Sequence, residues 1–272
     1  MSDVTHHSKQ KPGHDEIEAS KAPLLEHLIE LRQRLIYALM AVMGFFFICF
    51  FFANGIFNIL AKPCIWAANG DLDKCKMIYT APQEYLFAQI KLALFGAVFL
   101  AFPVIASQVY KFVAPGLYKN EKQAFLPYLI ATPVLFFLGA CVVYFLVMPM
   151  ALKFFIEMGQ AGTGGQIKIE MMSIVDKYLS LIMTMILGFG ICFQLPVIVT
   201  LLAKAGVVSS SSLQEFRRYA YVGIAAVSAV LSPPDPFSMI AMMLPTWALY
   251  EASIYAVKYY VEAKKKDDDD KT

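Results

Sequence analysis

"YAYVGIAAVSAVLSPPDPFSMIAMMLPTWALYEASIYAV", residues 219–257, carries one acid at its centre, one near its end and no other charge. A helix that crosses the roughly 30 Å hydrocarbon core of a bilayer needs about 20 apolar residues. This stretch is nearly twice that length, with Pro233, Pro234 and Pro236 at its middle. Proline lacks an N–H and clashes with the preceding helical turn. The prolines therefore predict two short helices, 219–234 and 236–250, joined by a tight turn. That division decides whether the span count is odd or even, and so whether both chain ends lie on one side of a membrane.

The rest of the chain supports a membrane setting. Of its 272 residues 58% are hydrophobic and 16% charged, with a mean hydropathy of +0.58; soluble domains rarely combine these values. Four more stretches without Asp, Glu, Lys or Arg run over 35–61, 92–110, 123–152 and 178–203. Together with the divided stretch they predict an all-α polytopic membrane protein with six transmembrane helices, the last two short. The first twenty residues are polar, so a cleavable secretory signal is not expected. Net charge is only +2 and points to no nucleic acid partner.

Lysine and arginine placement orients the spans. Lys9, Lys11, Lys21, Arg32 and Arg34 precede the first. Lys111, Lys119 and Lys122 follow the second, and Lys204, Arg217 and Arg218 follow the fourth. Lys258, Lys264, Lys265, Lys266 and Lys271 follow the last. These sixteen face six on the other side: Lys62, Lys74, Lys76, Lys153, Lys168 and Lys177. The bias predicts both termini in the cytoplasm. The domain plan is a disordered tail over 1–22, a six-span membrane domain over 23–260 and a charged disordered tail over 261–272. The DDDDK run in that last tail matches a protease-cleavage linker and receives no functional weight.

Several polar residues stand out against this background. In "LEHLIELRQRLIYALM", residues 25–40, Leu24, Leu28, Leu31 and Leu35 form one helical stripe and Glu26, Glu30 and Arg34 another. That pattern predicts an amphipathic helix on the cytoplasmic surface feeding the first span. Glu30 and Arg34 have the spacing of an ordinary intrahelical ion pair. In "FVAPGLYKNEK", residues 112–122, Glu121 is one acid among lysines, beside Phe112 and Tyr118. Glu30 and Glu121 would make an acidic pair on the cytoplasmic face, suited to an arginine-bearing ligand because guanidinium meets carboxylate as a two-pronged fork. Gln194 falls in mid-membrane, where an amide needs a partner; a bond within the bundle and a docking point for another protein's helix both fit. Asp235, with Pro236 behind it, has the position of a helix N-cap. Cys64 and Cys75 share the first external loop, where an oxidising compartment permits a disulfide. No metalloprotease, nucleophile-elbow, phosphate-loop or Cys-x-x-Cys motif occurs, so neither an enzyme nor a bound cofactor or metal is expected.

"HLIELRQRL", "QVYKFVAPGLYKNEK", "VMPMALKFF", "FQLPV" and "LSPPDPFS" follow one another in the chain. In that order they resemble the TatC family, the large subunit of the twin-arginine protein translocase. The resemblance covers about residues 24–260. It implies a cup-shaped, six-helix protein of the bacterial cytoplasmic (inner) membrane that recognises twin-arginine signal peptides. It also implies assembly with the single-span proteins TatA and TatB, homo-oligomers within the complex, and export of folded proteins driven by the proton-motive force. Glu30 and Glu121 match the family's signal-peptide acids, and Arg32 and Phe112 also match motif positions. Pro63 and Asp235 match functional positions on the external face. Gln194 stands where some relatives carry a glutamate that contacts a partner helix, which leaves a hydrogen-bonding role and removes a charge-based one. Spans five and six, at 16 and 15 uncharged residues, are also expected to thin the bilayer beside them.

Overall fold

The computed structural model describes residues 14–117, 126–159, 173–232 and 235–262. Nearly all of this is helix: α1 (His14–Phe51), α2 (Ala53–Ala67), α3 (Pro82–Leu117), α4 (Leu126–Val142), α5 (Met148–Glu157), α6 (Val175–Cys192), α7 (Leu195–Lys204), α8 (Ser210–Glu215), α9 (Arg217–Leu231) and α10 (Pro236–Ala256). A π-helical turn, Val143–Val147, joins α4 to α5 without a break. Five helical runs are long and apolar enough to cross a membrane: His27–Phe51, Pro82–Phe112, Pro127–Glu157, Val175–Lys204 and Pro236–Tyr259.

Four boundaries differ from the sequence expectation. The surface helix and the first span are one helix, because nothing in residues 24–51 stops helix propagation. The same helix begins at His14, inside the stretch expected to be a disordered tail. The first span ends at Phe51 rather than at residue 61. Phe52 leaves helical geometry (ψ 16°), and α2 packs instead against α3 and α5. Counting only charged residues concealed this break, since Asn54 and Asn58 are polar but uncharged. Asn54 Oδ1 accepts hydrogen bonds from Tyr85 (3.0 Å) and Gln89 (3.2 Å) of α3. Lastly, α10 does not stop before Glu251 but runs on through Ala256, 21 residues in all. At 1.5 Å per residue that is about 31 Å, a full membrane crossing. Of the last two helices only α9, with 15 residues, is short.

The core lies where α3, α4, α5 and α6 meet. Leu92, Phe136, Met148, Leu179, Ile182, Met185 and Phe189 are almost wholly buried there. Close approach requires glycine: a Cβ on Gly190 of α6 would stand 2.5 Å from the Phe136 ring of α4, the small-residue contact common between membrane helices. Pro196 lacks the N–H that would bond Cys192, and the helix steps at Phe193–Gln194 into α7. Gly206 ends α7 with φ 76°. The N–H of Val207 bonds the Leu202 carbonyl at 3.0 Å and that of Gly206 bonds Ala203 at 2.9 Å, which satisfies carbonyls left over at the helix end. A second core at that end gathers Ala203, Leu213, Ile224, Tyr250, Ile254 and Val257.

Cross-links concentrate at the opposite end. Cys64 in α2 and Cys75 are disulfide-bonded, with Cα atoms 6.0 Å apart, within the range a disulfide needs. Just beyond Cys75, β1 (Met77–Ile78) pairs in parallel with β2 (Ser173–Ile174), which leads into α6. Tyr178 donates to the Leu60 carbonyl and Tyr144 to that of Ile59, each at 2.7 Å. Lys91 of α3 pairs with Asp176 of α6. Lys76 hydrogen-bonds Asp73 at 2.8 Å and holds that carboxyl below the usual carboxylate range. Residues 161–166, where the run Ala-Gly-Thr-Gly-Gly-Gln predicts a flexible tip, lie outside the described residues.

Candidate functional site

α1 runs antiparallel to α3, and one stripe of α1 does the packing. At one end His27 stacks on Phe112, with ring centroids 4.2 Å apart and planes at 15°. Six turns later Cys49 meets Gly96 of α3. Between them Glu30, Arg34 and Ala38 are half-buried. The leucine stripe is the exposed one: Leu28, Leu31 and Leu35 are 58%, 41% and 64% exposed. The polar stripe therefore faces protein and the leucines face outward. This is the arrangement expected where the surroundings are lipid, because polar groups there are costly unless turned inward.

Glu30 has a partner on its own helix. Arg34 donates from Nη2 at 2.6 Å and from Nε at 3.2 Å, both to Oε1. Among the described residues nothing donates to Oε2. Arg32 is exposed. Phe112, held against His27, brings the end of α3 beside this part of α1. Glu121 lies outside the described residues, as do Tyr118, Lys119 and Lys122. Of the predicted recognition set, the structure thus places Phe112 against His27, one helical turn from Glu30, with Arg32 on another face of α1.

The other polar residues lie elsewhere. Gln194 is buried at the α6–α7 step. Its Nε2 donates to the Thr132 carbonyl at 2.9 Å, and its Oε1 is buried without a partner. Thr132 Oγ1 bonds the Tyr110 hydroxyl at 2.8 Å, so a short polar relay runs from α7 through α4 to α3, two residues before Phe112. Asp235 caps α10, its Oδ1 accepting from the Ser238 N–H at 2.7 Å, while Oδ2 is buried and unpaired. Pro63 is fully buried inside α2. An apolar cavity of about 290 Å³ between α5 and α6 is lined by Leu152, Phe155, Ile174, Lys177 and Leu181, far along the chain from Glu30. Among the described residues no group of His, Cys, Asp and Glu could hold a metal.

Two features escaped the sequence. One is the seat of His27 on Phe112, since a stacking partner 85 residues away leaves no periodic trace. The other is a latch between α9 and α10. Arg217 Nη2 donates to Glu251 Oε2 at 2.9 Å, and Tyr221 donates to Oε1 of the same carboxylate. The Arg217 Nε also lies 2.9 Å from Oε1 but without hydrogen-bond alignment. Its one available signal was Glu251 itself, an acid inside a helix that spans.

Comparison with known proteins places this architecture. The family profile described as "Sec-independent protein translocase protein (TatC)" matches residues 26–245. A TatC protein of Magnetococcus marinus is 44% identical over 86% of this chain and 83% of its own length. The TatC of Aquifex aeolicus is 37% identical over 90% and 98%, and that of Escherichia coli 34% identical over 88% and 89%. A crystal structure of the twin-arginine translocase receptor TatC superposes with a TM-score of 0.73 at 37% identity, covering 85% of this chain and 98% of that one. The chain belongs to the TatC family, the multi-span membrane components of the Sec-independent protein translocase.

Proposed function

We propose that this chain is the subunit of a bacterial twin-arginine translocase that receives the signal peptide of folded cargo, with Glu30 and Glu121 binding the arginine pair. The observation that carries this reading is the half-buried Glu30 carboxylate, set on the α3-facing side of α1 with no donor to Oε2 among the described residues. There a guanidinium meets a carboxylate partly shielded from water, and the contact is stronger than an exposed salt bridge of about 0–1 kcal/mol. Phe112 supplies an aromatic face for the same ligand and Arg32 the flanking positive edge. With α9 counted as a short sixth crossing both termini share one side of the membrane, and the lysine and arginine bias favours the cytoplasm. Glu30 then lies at the cytoplasmic surface, and Pro63, Asp235 and the disulfide lie on the external face. The protein works in the cytoplasmic membrane with TatA and TatB, in complexes holding several copies of the chain, and draws on the proton-motive force. At Gln194 the donor side is spent inside the bundle and Oε1 is buried, so a partner helix reaches it only by displacing what covers it.

The test is photocrosslinking of a twin-arginine signal peptide to membranes holding the complex. Glu30→Ala and Glu121→Ala should each weaken crosslinking about five- to tenfold at unchanged membrane level of the chain, as for a lost charge-assisted fork. Crosslinking at the parental level in the double variant defeats the reading.

A further inference from the structure

We propose that Arg34 is a specificity-determining residue: an internal arginine that a ligand must replace at Glu30, and that thereby favours arginine over lysine. The inference rests on the reading of Glu30 as a recognition carboxylate and adds what guards it. Two donors of Arg34, Nη2 at 2.6 Å and Nε at 3.2 Å, converge on Oε1. The pair is half shielded, with side-chain exposures of 26% for Arg34 and 32% for Glu30. Both residues sit on one rigid helix at i and i+4, so the contact re-forms whenever a ligand leaves. Arg32 cannot do the same, because residues two apart on a helix do not face each other.

The consequence follows from donor geometry. A guanidinium presents two parallel N–H groups and needs both carboxylate oxygens for a full fork. It gains that fork only by taking Oε1 from Arg34, and it returns two bonds for the two it displaces. A lysine ammonium is a compact point donor. It can hold Oε2 alone, or displace Arg34 and return less than it removes. Arg34 thus raises the threshold for any cation and raises it more for lysine, which is discrimination by an opposing contact rather than by an added attraction.

The experiment measures crosslinking across a concentration series of two synthetic signal peptides, one with paired arginines and one with paired lysines. Inverted membrane vesicles carry the assembled complex with the full chain. Arg34→Gln should raise lysine-peptide binding about two- to fivefold more than arginine-peptide binding, the range set by pairs of this kind, so the arginine-to-lysine ratio falls by that factor. Lys111→Gln removes the same charge from exposed α3 surface beside Phe112 without touching Glu30, and should shift both peptides equally. Arg34→Lys should lower the ratio by less than Arg34→Gln, and decides the matter if the glutamine variant fails to accumulate. An unchanged or increased ratio in the Arg34 variants overturns the proposal. So does an equal fall in ratio with Lys111→Gln, which would reduce the effect to net charge. Glu30→Gln separates the two levels. If it leaves arginine-peptide binding at the parental value, the recognition reading itself fails. If it weakens binding while the Arg34 variants keep the ratio, only the role of Arg34 fails.

Discussion

The two ends of the bundle are built on opposite principles. At the disulfide end α2, α3, α5 and α6 are tied by the Cys64–Cys75 bond, a two-residue parallel pairing, two tyrosine-to-carbonyl bonds and the Lys91–Asp176 pair. At the other end a second core and the Arg217–Glu251 latch hold α7 to α10, while around the ends of α1 and α3 the described polar and ring contacts are the His27–Phe112 stack, the intrahelical Glu30–Arg34 pair and the Tyr110–Thr132 bond to α4. Of the five long spans α1 is the least buried. On the proposed reading of Glu30 the difference teaches that stability and recognition are kept apart: the covalent and interhelical ties described gather at the disulfide end, and the half-exposed carboxylate stands at the end of α1 that has few of them. Strain or loss at one end should therefore leave the other end's task intact.

The harshest way to break that separation is to hollow the core that both ends share. Phe136→Ala removes a ring that is 1% exposed and packs on Phe102 at 3.6 Å. It should cost about 3–5 kcal/mol, read as a lower midpoint of denaturant unfolding in detergent. A loss under about 1 kcal/mol would mean that the bundle collapses into the space.

Opening the disulfide tests the tied end alone. Cys75→Ser frees a loop of sequence separation 11 and should lower stability by about 2–3 kcal/mol. Proteolysis between α2 and α3 should quicken while signal-peptide crosslinking stays at the parental level. A matching fall in crosslinking would show the two ends to be coupled.

The latch between α9 and α10 should matter less. Glu251→Gln leaves Arg217 without a charged partner at a half-exposed position, at a cost of about 1 kcal/mol. The double variant with Arg217→Gln should recover part of that loss, which a thermal-melt cycle will detect. Additive losses would deny the pairing.

The smallest effect concerns the lipid. α9, at about 22 Å for 15 residues, falls short of the roughly 30 Å core, and the mismatch costs fractions of a kcal/mol per Å. Spin labels on Val222, Val227 and Val230, all exposed on α9, should report a shallower hydrophobic depth than labels on α1. Equal depths would end the thinning idea for α9. For α10 its length already removes the premise.

Much of this protein is written locally. The prolines around Asp235 divide 219–257 into two helices because a missing N–H acts wherever the chain goes. The N-cap of α10 follows from Asp235 and Pro236 alone, and the Glu30–Arg34 pair from a four-residue spacing on one helix. The family motifs are equally local. The break at Phe52 was not legible, since α2 is apolar enough to continue a span, and what holds it aside lies far along the chain: Tyr85 and Gln89 on Asn54, the packing on α5 and the Cys64–Cys75 bond. Nor was the end of α10, where Glu251 looks like a terminus until Arg217 and Tyr221, 34 and 30 residues earlier, pair with it inside the helix. Which face of α1 meets α3 was not legible for the same reason. A leucine stripe reads as the packing side in water, but between lipid and protein it is the polar stripe that must be turned inward. Sequence determined which segments are helical and apolar, because those preferences act over a few residues. Only the tertiary structure decided which polar groups are satisfied and by whom, because that depends on what another helix brings within 3 Å.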